Sequence, residues 1–178
     1  IVASKLSKIN TVKLDTDKLS VSKEAKKRGS GYLNVALFGV DSRDNDLDKG
    51  TRSDTIMIAS LNKKTMKVKI ASIYRDTLSE QEDGTLNKIN AAYSYGGPEG
   101  ALSVLNKNLD MNIEHYVTVN FNSMIDIVDS VGGIDIDVQE DEMPYICGYV
   151  QEIMKVTGKL SPGVTEPGTQ TLNGVQAT

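Results

Sequence analysis

Apolar residues fall in short dense runs over the first half of the chain and at helical spacing over the second. Residues 33–40 form one apolar run, too short for a helix and closed by a Gly-containing turn. Runs of that kind suit strands covered on both faces. Residues 55–61 and 68–74 make two more, joined by the polar hairpin turn Asn62-Lys63-Lys64-Thr65. Lys67 and Lys69 alternate with Val68 and Ile70, so this third strand is predicted to begin exposed on one face and become buried later.

From Leu86 the period changes. Residues 88–95 are predicted as a helix ended by Gly96-Gly97, and Pro98 then stands where a first helical residue is favoured. Ala101, Leu102, Leu105 and Leu109 recur down one face, which predicts an amphipathic helix over 98–109. A short strand follows at 116–120. Asn122 or Ser123 is placed to cap a helix carrying Ile125, Ile127 and Val128, stopped by Gly132-Gly133. Residues 134–138 are the next strand, and strand–helix–strand in so short a span predicts a parallel right-handed crossover. Residues 145–156 are a helix candidate, and Leu172-Asn173-Gly174-Val175-Gln176-Ala177 reads as the start of another. The expected fold class is α/β: a mainly parallel or mixed central sheet sandwiched between helices.

Residues 1–31 are Lys- and Ser-rich with a thin scatter of apolar positions. They are expected to form a stalk or peripheral segment before a domain over 32–178. The basic run Lys23 to Arg28 is read as a solvated face, with contact to anionic lipid as the alternative. A length of 178 residues allows one domain with a substantial core, and a net charge of -4 argues against a general nucleic-acid binder. Cys147 is the sole cysteine and His115 the sole histidine, so an internal disulfide is excluded and a zinc site or His-based triad has little to work with.

The chemistry gathers where the first three apolar runs end. Asp41 follows the first, Arg52 and Asp54 precede or open the second, and Arg75 and Asp76 follow the third. If these strands neighbour one another in opposite directions, the carboxylates Asp41 and Asp54 reach one rim. Two close carboxylates repel unless a cation or proton intervenes, and oxygen-only ligands favour Mg²⁺. Arg52 and Arg75 supply fork-shaped donors suited to phosphate oxygens. From spacing taken by itself, Asp–Arg salt bridges tying strand ends together explain the same residues equally well. A calcium loop over Asp44, Asp46 and Asp48 is a further reading, weakened by Lys49 where the turn needs Gly and Thr55 where a bidentate Glu belongs. Gly96-Gly97-Pro98 before a helix can present backbone N–H groups to an anion, although such a sequence is more often a helix junction.

The motifs in their order resemble the LytR-CpsA-Psr family. They are Leu37-Phe38-Gly39-Val40-Asp41-Ser42-Arg43, Thr51-Arg52-Ser53-Asp54-Thr55, Tyr74-Arg75-Asp76-Thr77, the stretch from Lys88 to Gly97, Val131-Gly132-Gly133-Ile134 and Gly168-Thr169-Gln170-Thr171-Leu172-Asn173-Gly174. The resemblance implies a bacterial cell-wall enzyme held by an N-terminal membrane helix, with its domain on the extracellular face of the cytoplasmic membrane. Such enzymes move a glycopolymer, of wall teichoic acid or capsule type, from a polyprenyl-pyrophosphate carrier to peptidoglycan. By motif match, Asp41 and Asp54 would bind or orient Mg²⁺ while Arg52 and Arg75 grip the phosphates. Asp76 would orient Arg75 or serve as a structural cap. Catalysis would rest on Asp54, Arg75 and Asp41. The resemblance also implies an Arg-rich stretch beyond Leu172-Asn173-Gly174, and that stretch is not among these 178 residues. The alternatives are a non-catalytic surface module binding polyprenyl-phosphate lipid or wall polymer, and a calcium-stabilised adhesion-type domain.

Overall fold

A computed structural model describes residues 11–42 and 50–178. The Asp44, Asp46 and Asp48 of the calcium reading lie outside the described residues. Strands β1 (Tyr32–Val40), β2 (Ser53–Asn62), β3 (Val68–Ile73) and β6 (His115–Val119) form one mixed sheet in the order β3-β2-β1-β6. β2 runs antiparallel to both β1 and β3, whereas β6 runs parallel to β1. A hairpin of β4 (Leu78–Glu80) and β5 (Leu86–Lys88) stands apart, as does an antiparallel pair of β7 (Ile134–Val138) and β8 (Gly168–Leu172). The helices are α1 (Lys23–Gly29), α2 (Ala91–Leu109), α3 (Phe121–Ser130), α4 (Met143–Thr157) and α5 (Gly174–Ala177).

The α/β class and the mixed sheet match the expectation, but the parallel crossover from β6 to β7 is corrected. β7 joins β8 instead. Its sequence explains why: Ile134-Asp135-Ile136-Asp137-Val138 alternates strictly, which suits a ribbon with one wet face rather than a strand buried on both. The two aspartates use that face, Asp135 accepting from Thr171 Oγ1 at 2.6 Å and Asp137 from Thr169 Oγ1 at 3.4 Å.

One face of the main sheet carries the core. Ala36, Phe38 and Val40 of β1 and Ile56 and Ile58 of β2 pack with Ala92, Tyr93, Ala101, Leu102, Val104 and Leu105 of α2. Phe38 and Tyr93 meet edge to face at 5.2 Å. Cover on both faces was expected of β1, but its opposite face is only half-buried at Leu33, Val35 and Leu37. The partners of those positions across the sheet are more open still, with Ile70 and Val117 exposed. β3 is exposed along its length until a half-buried Ile73, as befits an edge strand, so the expected change to a buried strand is confined to its last residue.

The helix expected over 88–95 begins at Ala91, because Leu86–Lys88 is taken into the β4–β5 hairpin. It continues past Pro98 as one element with a kink at Gly97, whose φ of 62° and ψ of -157° only glycine adopts readily. α3 is capped by Asn120, whose side chain accepts from Ser123 N, one turn earlier than Ser123 itself. The described part of the segment expected as a stalk or peripheral piece packs on the domain. Leu19 is fully buried in the core, and Asn106 of α2 donates to its carbonyl at 2.8 Å.

Candidate anion-binding rim

Because β1, β2 and β3 are antiparallel neighbours, the C-terminal end of β1, the start of β2 and the end of β3 share one edge. The residues singled out from sequence lie there. The geometry turns on a β-bulge: Gly39 faces Thr55 but Val40 faces Ser53, so Asp54 is an extra residue on β2. The bulge breaks the in–out alternation. Ser53 turns inward and is fully buried, while Asp54 is thrust outward at the edge.

There Asp54 Oδ1 accepts a hydrogen bond from Arg75 Nη1 at 2.6 Å, both side chains about half-exposed. The salt-bridge reading of the sequence is therefore realised by this pair. Asp76 does not hold Arg75. It pairs with Lys88 Nζ at 2.7 Å, and that bond, with the fields of Arg75 and Arg52 adding to it, holds the Asp76 carboxyl below the usual carboxylate range. Arg52 is exposed and forms no ion pair among the described residues. Asp41 is also exposed; its carbonyl accepts from Thr51 Oγ1 at 3.3 Å, and its carboxylate has no partner among the described residues.

Lys88 is the site residue that sequence reasoning passed over. It was assigned to a helix, and only the hairpin register, Leu78 opposite Lys88, reveals how β5 carries its ammonium to the rim. The backbone closes the same corner: Asn90 N donates to the Arg75 carbonyl, and Ile89 N to that of Thr77. Two buried polar atoms flank the rim without partners among the described residues, Ser53 Oγ beside Asp54 and Asn90 Oδ1 at the start of α2. Groups of that kind call for a water or ion as explanation.

Three cations, Arg52, Arg75 and Lys88, thus stand among the three carboxylates Asp41, Asp54 and Asp76. Fork-shaped and point-charge donors together suit phosphate oxygens. By donor chemistry the residues that would hold a magnesium ion are Asp41 and Asp54, whose carboxylates are hard oxygen ligands; such an ion needs only one or two of them and takes its other ligands from phosphate and water. No cluster of three or more His, Cys, Asp or Glu that could cage a metal occurs among the described residues.

A profile of the LytR_cpsA_psr family matches residues 2–178. The polyisoprenyl-teichoic acid–peptidoglycan teichoic acid transferase TagU of Bacillus cereus (strain AH820) is 39% identical over 126 residues, 70% of this chain and 40% of that protein. The chain spans less than half the length of the curated relatives it matches. Among solved structures, TagV of Bacillus subtilis superposes with a TM-score of 0.60 at 30% identity, covering 82% of this chain and 53% of TagV. A structure of TagT with bound octaprenyl pyrophosphate lipid gives a TM-score of 0.61 at 24% identity over 94% of this chain and 58% of TagT, a likeness of fold. The profile spans nearly every residue described above, rim and hairpins included, and the chain belongs to the LytR_cpsA_psr family.

Proposed function

We propose that this chain carries the core of a Mg²⁺-dependent phosphotransferase. It moves a glycopolymer of wall teichoic acid or capsule type from a polyprenyl-pyrophosphate carrier to peptidoglycan. The single observation behind this reading is the convergence of Lys88, Arg75 and Arg52 on Asp76 at one strand edge, where the bulge also sets Asp54 against Arg75. TagU relatives are named for transfer of teichoic acid to peptidoglycan, and TagT has been solved with a polyprenyl pyrophosphate.

In this reading the rim receives the pyrophosphate. A hydroxyl of the acceptor glycan attacks the phosphorus that bears the glycopolymer. The new P–O bond forms as the bridging P–O bond breaks, the hydroxyl proton is released, and polyprenyl phosphate leaves. The protein's task in such a transfer is positioning and charge stabilisation. Arg75 and Arg52 grip non-bridging oxygens, each charged hydrogen bond contributing roughly 1.5–3 kcal/mol. Lys88 supplies a further positive charge, and Asp76 holds its ammonium against the rim. Asp41 and Asp54 would hold Mg²⁺, which would offset charge on the pyrophosphate oxygens. The site would work on the extracellular face of the cytoplasmic membrane, through an anchor outside these 178 residues; no helix among the described residues is long and apolar enough to cross a membrane.

Transfer of labelled glycan from its lipid pyrophosphate to peptidoglycan by the full-length protein tests the proposal. Transfer that is lost in Arg75→Ala and Asp54→Ala supports it. Binding of the lipid without transfer would return the non-catalytic binding module, and no binding at all would remove both.

A further inference from the structure

The break in α2 leaves a helix carbonyl without its regular donor. In an α-helix each carbonyl accepts from the N–H four residues on. For Ser94 that residue is Pro98, which has no N–H. The carbonyl is taken instead by Gly50, whose N–H donates to it at 3.3 Å. Gly97 is enough to bend the helix by itself; Pro98 adds that no N–H can return to the Ser94 carbonyl.

Gly50 opens the short link into β2. Thr51 Oγ1 donates to the Asp41 carbonyl at 3.3 Å, Arg52 follows, and Ser53 is fully buried opposite Val40. Arg52 thus stands between two fixed points, Gly50 on α2 and Ser53 in the sheet. Four residues before Ser94, Asn90 N donates to the Arg75 carbonyl at 3.2 Å. One turn of helix, roughly 6 Å long at about 1.5 Å per residue, therefore holds the backbone of both rim arginines. A donor at its start takes Arg75, and an acceptor at its end takes the link to Arg52. The turn is firmly seated. Ala91, Ala92 and Tyr93 are buried, the Tyr93 ring meets Phe38 edge to face, and its hydroxyl lies 3.0 Å from Thr118 Oγ1. The Ser94 hydroxyl donates back to the Ala91 carbonyl at 2.9 Å, within the same turn.

We propose that the turn from Asn90 to Ser94 is a brace that sets the spacing of Arg52 and Arg75, and that Pro98 is a positioning residue that keeps the Ser94 carbonyl for Gly50. Arg75 is aimed through its side chain by Asp54. Arg52 has no ion pair among the described residues, so its main chain gives it direction. A ligand with two adjacent phosphoryl groups meets both arginines at the set spacing, whereas a single phosphoryl group does not span them. The brace is thus a specificity element for diphosphate over monophosphate, and it favours exchange of the leaving lipid phosphate for a fresh pyrophosphate carrier. The identity of that ligand rests on the transferase reading above.

The test titrates the full-length protein with farnesyl pyrophosphate and with farnesyl phosphate, and follows amide hydrogen exchange at Gly50. Pro98→Ala returns an N–H that competes for the Ser94 carbonyl. It is expected to speed exchange at Gly50 and to weaken farnesyl pyrophosphate fivefold or more, but farnesyl phosphate less than twofold. In an Arg52→Ala background the same substitution is expected to add less than twofold, because the brace acts through Arg52. If Gly50 stays protected in Pro98→Ala, the double variant Gly97→Ala/Pro98→Ala replaces it in the same titrations. Pyrophosphate binding within twofold of wild type once Gly50 is released overturns the proposal. So do equal losses for the two lipids, or a loss kept in full in the Arg52→Ala background. Free exchange at Gly50 in the wild type, or protection that survives both variants, overturns it as well. Wild-type protein that binds neither lipid strikes the transferase reading instead, and exchange at Gly50 still decides whether Pro98 keeps the Ser94 carbonyl for Gly50.

Discussion

Asp54 Oδ1 and Arg75 Nη1 meet at 2.6 Å across the edge of a sheet, although by strict alternation Asp54 would have shared the buried face of Ile56 and Ile58. The extra residue in β2 reverses that alternation for one step and turns the carboxylate out to meet the end of β3. Bulges re-aim side chains in this way at functional sheet edges. The pair is about half-exposed, so its worth to the fold is small, within roughly 0.2–1 kcal/mol for exposed ion pairs. Its placement has more to offer a ligand than it offers stability.

Arg75→Ala is accordingly expected to separate binding from folding. Loss of one or two charged hydrogen bonds, each about 1.5–3 kcal/mol, weakens affinity for farnesyl pyrophosphate by tenfold or more. Stability changes by less than about 1 kcal/mol, since only the exposed pair with Asp54 is lost. Titration of the lipid and urea unfolding of the same preparation check both halves. Unchanged affinity would take Arg75 out of the site.

The strands of this rim were legible because dense apolar runs closed by polar turns leave few alternatives, and their ends carry the Asp and Arg residues. The side chains' partners were not. Asp76 follows Arg75 in sequence and reads there as its orienter or as a structural cap, yet Lys88, twelve positions on by number and placed by hairpin register, is its partner. Short strands such as Leu78–Glu80 and Leu86–Lys88 carry too few residues for periodicity to show. The Ile-Asp-Ile-Asp-Val pattern of β7 did hold a usable signal, because its alternation speaks against a buried parallel strand.

The Asp76–Lys88 pair makes a prediction about pH. The hydrogen bond from Lys88 comes first in holding the Asp76 carboxyl below its ordinary value of 3.8, with Arg75 and Arg52 contributing smaller fields. A carboxyl lowered in the folded state binds fewer protons there than in the unfolded chain. Its contribution to stability is thus fully present above the ordinary carboxylate range and is lost as pH falls through the lowered folded value. In Lys88→Met the Asp76 carboxyl carbon is expected to titrate at higher pH than in the wild type, by NMR. A titration that does not move would show that Lys88 is not the main cause.

Asn106 supplies a test of the core. It is 2% exposed, donates to the carbonyls of Leu19 and Ile113 at 2.8 and 3.0 Å, and accepts from Ile113 N at 2.8 Å. One side chain therefore ties the N-terminal segment, α2 and the entry to β6 together. Asn106→Ala leaves three buried backbone groups without partners, each costing about 1–3 kcal/mol, and a loss of about 3 kcal/mol or more is expected. Chemical denaturation measures it. A loss below about 1 kcal/mol would mean that the segment around Leu19 is only loosely held.

Gly174, in the Leu-Asn-Gly motif, tests how the second half of the domain is joined. Asn173 caps α5 through a capping box with Gln176, and Asp129 of α3 accepts from Gly174 N at 2.7 Å. A Cβ at Gly174 would run into the Ile125 carbonyl oxygen and stand 2.7 Å from the Ile125 Cα, both backbone atoms that cannot swing aside. Gly174→Ala must therefore push α5 from α3, opening the cluster of Ile125, Val150, Ile153 and Val175. Overpacking of this kind costs about 1–3 kcal/mol, or roughly 2–12 °C in Tm for a domain of this size. Gly163→Ala is the control, because nothing lies within 4 Å of its Cβ and no change beyond about 0.5 kcal/mol is expected. Equal thermal stability of the two variants would show that α5 is free to move away from α3 without loss.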